Sequence, residues 1–410
     1  MPPVTTSRSA PSANSGSALL NVVSNTSMSL VHAYSRVDPF IRPAFDLLLR
    51  DTVARVVTGL INLGRRNDGL ALAEERPIPD EDAHLQSIVD SFTAQMTQLW
   101  KKPAGMERGG NTKTHGMVKA EFRVHDGLPA HLRRGVFAEP KIYRAWVRFS
   151  GPGPYWTPDI EDVGFMSISI KLLGVPGPKL MDEEQHTQDF TAVSTPTFVT
   201  QDTKANAHLQ KWSVKNAQIF HFLNLTRPHL FDLIMQGLWI KTQSSPFEAP
   251  YFSCVPYLLG EGQAMQFSVW PTTTTKTPIP NLPWRPPDDY LREAMVKDLS
   301  QNDVDLDFRV QVQTDPHLMP LENNGVLWPE RLSPRVSVAT LHIPKQSFSS
   351  AAQIAFAHRL SYNPWHCVPE HRPLGNQSRA RRRMYYELSQ LRHRVNDIPH
   401  DEPTGDETFD

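Results

Sequence analysis

Tyr385 stands four residues after Arg381 and seven before Arg392, within Arg379–Val395, a stretch free of glycine and proline. Steps of four and seven place Arg381, Tyr385, Leu388 and Arg392 on one face of a helix. That face carries a phenol between two fixed cations. An adjacent guanidinium favours a phenolate over a phenol. A phenolate so held can ligate ferric iron, and an arginine a turn or two away can hold a carboxylate. The rival reading is a solvated basic face, since Arg379, Arg381, Arg382, Arg383, Arg392 and Arg394 form one run.

A second group of candidates lies far upstream. Thr114-His115-Gly116 opens the first strongly alternating segment, so His115 is either a proton carrier or an ordinary loop residue. Arg148-Phe149-Ser150 puts an arginine and a hydroxyl on the same side of a strand. The hydroxyl can accept from an imidazole, and the arginine can pair with a carboxylate. Asp189-Phe190 and Thr195-Pro196-Thr197-Phe198 follow.

The elements that must position these residues are of two kinds. Helical patterns cover 28–36, 44–64 and 81–100, with Leu49, Val53, Val56, Val57 and Leu60 on one face of the second. Packing on the main domain explains that face better than a membrane surface, because its polar side carries both charge signs. From Thr114 the period becomes two. Val118, Ala120, Phe122 and Val124 alternate with Lys119, Glu121 and Arg123, as do Ala145, Val147 and Phe149 with Trp146, Arg148 and Ser150, and Met166, Ile168, Ile170 and Leu172 with Ser167, Ser169 and Lys171. Residues 262–270, 304–313 and 335–343 add three strands, the last with a phase slip that predicts a bulge. Residues 200–241 read as a helical insertion and 276–289 as a proline-rich surface loop. Strands without regularly following helices predict an α+β protein built on an antiparallel barrel or sandwich.

With 42 basic and 43 acidic residues in 410, no bulk field draws the chain to nucleic acid or anionic lipid. The 36 prolines imply long ordered loops and wrapping segments. Two cysteines, Cys254 and Cys367, make no disulfide framework and suit a reducing compartment. Residues 1–27 are polar, expected to be disordered, and contain no apolar core of signal-peptide type. An intracellular or cytoplasmic location is therefore expected, not a secreted one. No membrane span is expected, because no apolar run reaches ~18 residues. The expected division is 1–27 disordered, 28–84 a helical extension, 85–395 the main domain and 396–410 an acidic disordered tail.

Taken in order, Thr-His-Gly, Arg-Phe-Ser, Asp-Phe with Thr-Pro-x-Phe, and Arg-x-x-x-Tyr resemble the haem catalases. The loop Asn363–Gly375 and the Arg-Ala-Arg after it look closest to the catalase-related branch that includes an allene oxide synthase and bacterial catalase-like peroxidases. The resemblance spans roughly residues 85–395. It implies a catalase-like antiparallel β-barrel with surrounding helices and a wrapping segment. It implies haem b, with Tyr385 as axial tyrosinate on the iron and Arg381 as its charge partner. Arg148 and Arg392 would hold propionates, and Phe198 would line the pocket. His115 would be the distal base, Ser150 would orient it, and Thr114 would stand where catalases have valine. Dimers or tetramers are a family expectation.

One departure bears on activity. The distal asparagine of the family falls at Val193, followed by Ser194. Valine cannot donate to a bound peroxide, and losing such a donor typically costs ~10²–10³ in rate. The resemblance therefore implies weak hydrogen peroxide dismutation and an organic small-molecule or hydroperoxide substrate. Similar fungal proteins act in specialised metabolism, including alkaloid pathways. The rival readings are a degenerate catalase-like binding protein, a true peroxide-detoxifying enzyme, and a metal or thiolate role for His366, Cys367 and His371.

Overall fold

Period-two alternation becomes a closed barrel. In the computed structural model, which describes residues 18–100, 105–162, 164–224 and 229–409, nine strands form one sheet. They are β1 (Thr114–Val124), β2 (Ile142–Ser150), β3 (Ser167–Leu173), β4 (Thr187–Val193), β5 (Tyr251–Phe252), β6 (Tyr257–Leu258), β7 (Ala264–Pro271), β8 (Val304–Val312) and β9 (Val336–Ile343). The order β5-β4-β3-β2-β1-β9-β8-β7, with β5 also paired to β7, closes eight strands into a ring. All pairings are antiparallel, and β6 hangs on β7. Closure leaves no edge among the eight to pair elsewhere. The expected bulge is present: Phe308 pairs with Ala339 but Arg309 with Ser337, so β9 carries one extra residue.

The inward residues of each strand fill the barrel. Val118, Phe122, Val147, Ile168, Phe190 and Phe308 are all buried in one cluster, and the Phe122 and Phe308 rings meet edge to face at 5.1 Å. Truncating such a ring to alanine costs about 3–5 kcal/mol. Because strand side chains alternate, the residues between these point outward. Arg148 of β2, Ser167 and Ser169 of β3, and Thr191 and Val193 of β4 are therefore delivered to one outer face.

Helices surround the barrel. They are α1 (Ala18–Phe45), α2 (Asp51–Gly64), α3 (Glu81–Leu99), α4 (Thr203–Ser213), α5 (Ile219–Phe222), α6 (Leu230–Trp239), α7 (Tyr290–Gln301), α8 (Ala351–Arg359) and α9 (Asn376–Asn396). The start of α9 is fixed by Gly375 at φ +84°, where a Cβ would collide with the Leu321 carbonyl. Its register is fixed by Arg379, which binds Glu81 at 2.7 Å, Glu75 at 2.6 Å and Glu322 at 3.0 Å. At this position the basic run is thus a fastened element and not a solvated face.

Two expectations about the termini change. Residues 1–17 lie outside the described residues, but from Ala18 the chain is helical, so the disorder expected over 1–27 does not extend to residue 27. A π-helical turn, Asp46–Arg50, joins α1 to α2. The inner side of α2 packs Ala54 and Val57 against Met235 and Leu238, while Leu47, Leu48, Leu60 and Leu63 stay exposed. The acidic tail is not disordered over 397–409. Glu407 accepts from Trp146 Nε1 at 2.9 Å, Asp406 pairs with Arg144 at 2.7 Å, and Phe409 packs on Trp146. Its acids find donors on the barrel wall, which composition alone does not show. Among the described residues no helix is long and apolar enough to cross a membrane.

Candidate active site

One face of α9 and the outward residues of β2–β4 enclose a cavity of about 390 Å³, a size usual for small-molecule sites. From α9 come Arg381, Met384, Tyr385, Leu388, Ser389 and Arg392, the spacing of a single helical face. From the barrel come Arg148, Ser167, Ser169, Thr191 and Val193, with Phe198 just beyond β4. Helices α3 and α4 close the sides with Phe92, Met96, Asn206 and Gln210. Tyr385 faces the cavity, whereas Tyr386, its neighbour at the same spacing from an arginine, is 41% exposed.

The charge pattern is lopsided. Arg108, Arg148, Arg381 and Arg392 line the cavity, and no acidic side chain does so among the described residues. Arg108, Arg148 and Arg392 gather at one end. Burial, and then the Arg108 charge, push both Arg148 and Arg392 well below the ordinary guanidinium value. Their heads are held by backbone oxygens. Arg108 donates to Ala357 O at 2.9 Å and Leu360 O at 2.6 Å, and Arg392 donates to the His358 carbonyl and to Leu360 O at 3.2 Å. These carbonyls end α8, the negative pole of that helix. Arg108 Nη1 remains buried without a hydrogen-bond partner. Three converging guanidiniums, one of them with an unmet donor, are suited to a ligand with one or two carboxylates.

At the other side the Arg381 guanidinium lies 5.1 Å from the Tyr385 ring centroid and donates to Thr191 Oγ1 at 2.6 Å. Burial works against its charge, yet the phenols of Tyr385 and Tyr257 hold its pKa above the ordinary value. Burial pushes the Tyr257 phenol up to about 12.

The structure thus brings together Arg148, Phe198, Arg381, Tyr385 and Arg392. Thr114 and Ser150 sit behind Arg148: Nε donates to Thr114 Oγ1 and Nη1 to Ser150 Oγ, both at 3.0 Å. Ser150 therefore orients Arg148, and the expected Ser150–His115 bond is not made. His115 itself does not line this cavity. A register shift between Thr114 and Gly116 turns its ring into a separate crevice of about 20 Å³ with Asp159, Asp162 and Tyr290. Its Nδ1 is 3.7 Å from Asp159, and neither ring nitrogen has a hydrogen bond. Burial and the charges of Lys113, Arg292 and Arg148 hold it well below the usual imidazole range. Asp159, anchored by Lys113 at 2.7 Å, is pushed up to about 6 by burial. Phe165 borders both spaces.

Val193 does form part of the wall, and Ser194 does not replace an amide there. Its hydroxyl accepts from Met166 N at 2.8 Å, away from the cavity. Arg108 and Cys254 were not anticipated. Arg108 precedes a Gly-Gly turn six residues before β1, and an arginine in a tight turn next to a functional strand was the available signal. Cys254 lines the cavity at φ +57°, donates to Thr195 O at 2.8 Å, and is pushed up to about 12 by burial. The His366, Cys367 and His371 reading is overturned as a shared site. His366 joins Asp189 and Glu183, whereas His371 lies against Phe137 and bonds Val136 N.

No protein-family model matches the chain, and no curated protein matches its sequence. Solved structures do match. A fungal catalase superposes with a TM-score of 0.58 at 16% identity, covering 83% of this chain and 69% of that one. Catalase A from Saccharomyces cerevisiae superposes at 0.56 and 14% identity, covering 83% and 71%. The antiparallel barrel, the helices around it and the segments wrapping them are thus those of the catalase fold.

Proposed function

We propose that this chain is a haem-dependent oxidoreductase of catalase ancestry that acts on an organic small molecule or hydroperoxide, with weak hydrogen peroxide dismutation. One observation carries the reading. A tyrosine backed by a buried arginine and a cluster of three arginines with an unmet donor open onto one cavity that contains no acid among its described lining residues. A porphyrin with two carboxylates and a ferric centre fits that donor set. Tyr385 would hold its iron, and Arg108, Arg148 and Arg392 would hold its carboxylates. When bound, such a group supplies redox chemistry at an O–O bond.

The chain's own residues explain why hydrogen peroxide is a poor substrate. Val193 presents methyl groups where an amide donor would hold the peroxide, a loss of ~10²–10³ in rate. His115, the proton carrier of the proposal, is turned away, and positioned proton transfer is worth ~10²–10⁴. Its route to the cavity runs past Phe165. The wall that remains, with Phe165, Phe198 and Val199, favours a greasy or aromatic substrate. A tailoring step in specialised metabolism, such as alkaloid formation, agrees with that wall. The exposed leucines of α1 and α2 support self-association, which sedimentation velocity tests.

The test is consumption of cumene hydroperoxide against hydrogen peroxide by the haem-loaded protein. Preference for the organic substrate supports the reading, and rapid disposal of hydrogen peroxide contradicts it. The placement of His115 favours one second reading, a haem-binding relative without catalysis. Bound haem with no turnover of either peroxide would identify it.

A further inference from the structure

The insertion between β4 and β5 carries a cluster that the cavity does not use. His208 lies on α4, His221 on α5, and His229 immediately before α6. One nitrogen of each ring lies within 4.8 Å of the other two. His208 Nδ1 faces His221 Nδ1 at 2.8 Å, and the His221 and His229 rings stack with centroids 4.1 Å apart. His221 is fully buried, and its Nε2 has no hydrogen-bond partner. His229 Nδ1 is held at 3.2 Å by Asp232 Oδ2.

Three converging imidazoles, two of them buried and one half-buried, need a reason. Packing alone would not bring two ring nitrogens nose to nose, where one proton must be shared, and leave a third nitrogen unsatisfied. Charged rings stacked and facing one another this closely would repel, which favours the neutral form. Neutral imidazole is the form that binds metal. On a tetrahedral zinc ion the ligand nitrogens stand about 3.4 Å apart, given bonds of about 2.0–2.1 Å. Here one pair of ring nitrogens stands 2.8 Å apart and all three ligand nitrogens lie within 4.8 Å of one another, so small ring movements reach that spacing. The Asp232–His229 contact is the carboxylate–histidine pair that orients metal ligands. Coordination through His208 Nδ1 would move that ring's proton to Nε2, ending the bond that Nε2 accepts from Trp212 Nε1 at 3.4 Å and turning the contact with the Asn224 amide, also 3.4 Å away, into a donation. The other convergent group, Glu184, Asp189 and His366, differs because Lys171 already supplies its cation at 2.8 Å from Asp189.

We propose that His208, His221 and His229 form a site for one divalent transition-metal ion of the zinc class, with solvent as the fourth ligand. The ion ties α4, α5 and α6 together. Asn206 and Gln210 of α4 and Gln236 of α6 line the large cavity, so the ion also stiffens that wall. This site is independent of whatever the cavity binds.

The experiment uses the untagged full-length chain, stripped with a chelator and titrated with Co²⁺ and then Zn²⁺. One equivalent of Co²⁺ should bind with intense tetrahedral d–d bands, Zn²⁺ should displace it, and the melting temperature should rise. His221→Asn and His229→Asn should each weaken binding at least about 100-fold, and Asp232→Asn about 10–100-fold. His131→Ala, at an exposed position, should change nothing. Absent or only weak octahedral Co²⁺ bands in the wild-type chain overturn the proposal without any variant. So does unchanged affinity in the His221→Asn/His229→Asn double variant.

Discussion

The Arg381 guanidinium is fixed between two elements: its carbon lies 5.1 Å from the Tyr385 ring centroid on α9, and its Nη2 donates to Thr191 on β4. The cation cannot swing to solvent, so it holds charge beside the phenol permanently. Replacing it removes a charge-assisted contact worth roughly 1.5–3 kcal/mol. Arg381→Leu should therefore weaken haem retention about 10–100-fold, measured by competition with apomyoglobin.

Carboxylate recognition is expected to reside in Arg108, Arg148 and Arg392. Arg108→Met and Arg392→Met should each lower haem affinity about tenfold or more, one charge-assisted contact apiece. The same variants should bind haem dimethyl ester as the parent does. Equal losses for both porphyrins would mean that the arginines serve packing only.

On the barrel wall, Val193→Asn restores an amide donor facing the cavity. Hydrogen peroxide consumption by the haem-loaded variant should rise at least about tenfold, within the ~10²–10³ that such a donor supplies. Adding Phe165→Ala joins the His115 crevice to the cavity and should raise it further. No gain from either change would remove both grounds on which weak hydrogen peroxide dismutation is proposed.

Stability should fall with alkaline pH because of His366. Burial opposes its charge, but hydrogen bonds to Asp189 and Glu183 and the Glu184 charge hold its pKa up to about 9. A folded pKa above the unfolded value of about 6.5 stabilises the fold fully below pH ~6.5, and that contribution is lost as pH rises through about 9. The loss amounts to up to about 3 kcal/mol. Urea unfolding at pH 6.5 and pH 9.5 measures it, and His366→Gln should remove most of the difference.

Much of this architecture is legible from residue types. The outward and inward sets of β1–β3 follow from alternation, and the α9 face from steps of three and four, because both periods are local. Strand β4 is visible only as motifs, because Thr187–Val193 alternates weakly and its Asp189 pairs with a buried lysine. The ring direction of His115 was not legible. It depends on the pairing irregularity between β1 and β2, a property of two strands together. Ser150 was misassigned for the same reason, because its nearest partner is Arg148 two residues earlier on the same strand face. The tail was misjudged because its acids bind Arg144 and Trp146, which are distant in sequence.

The central claim is that Tyr385 ligates haem iron in this cavity, and the absorption spectrum of the purified, haem-reconstituted protein tests it most directly. The account predicts a Soret band with the charge-transfer features of a ferric tyrosinate, lost or replaced in Tyr385→Phe and retained in Tyr386→Phe. A protein that stays colourless, or a Tyr385→Phe spectrum identical to the parent's, would contradict it.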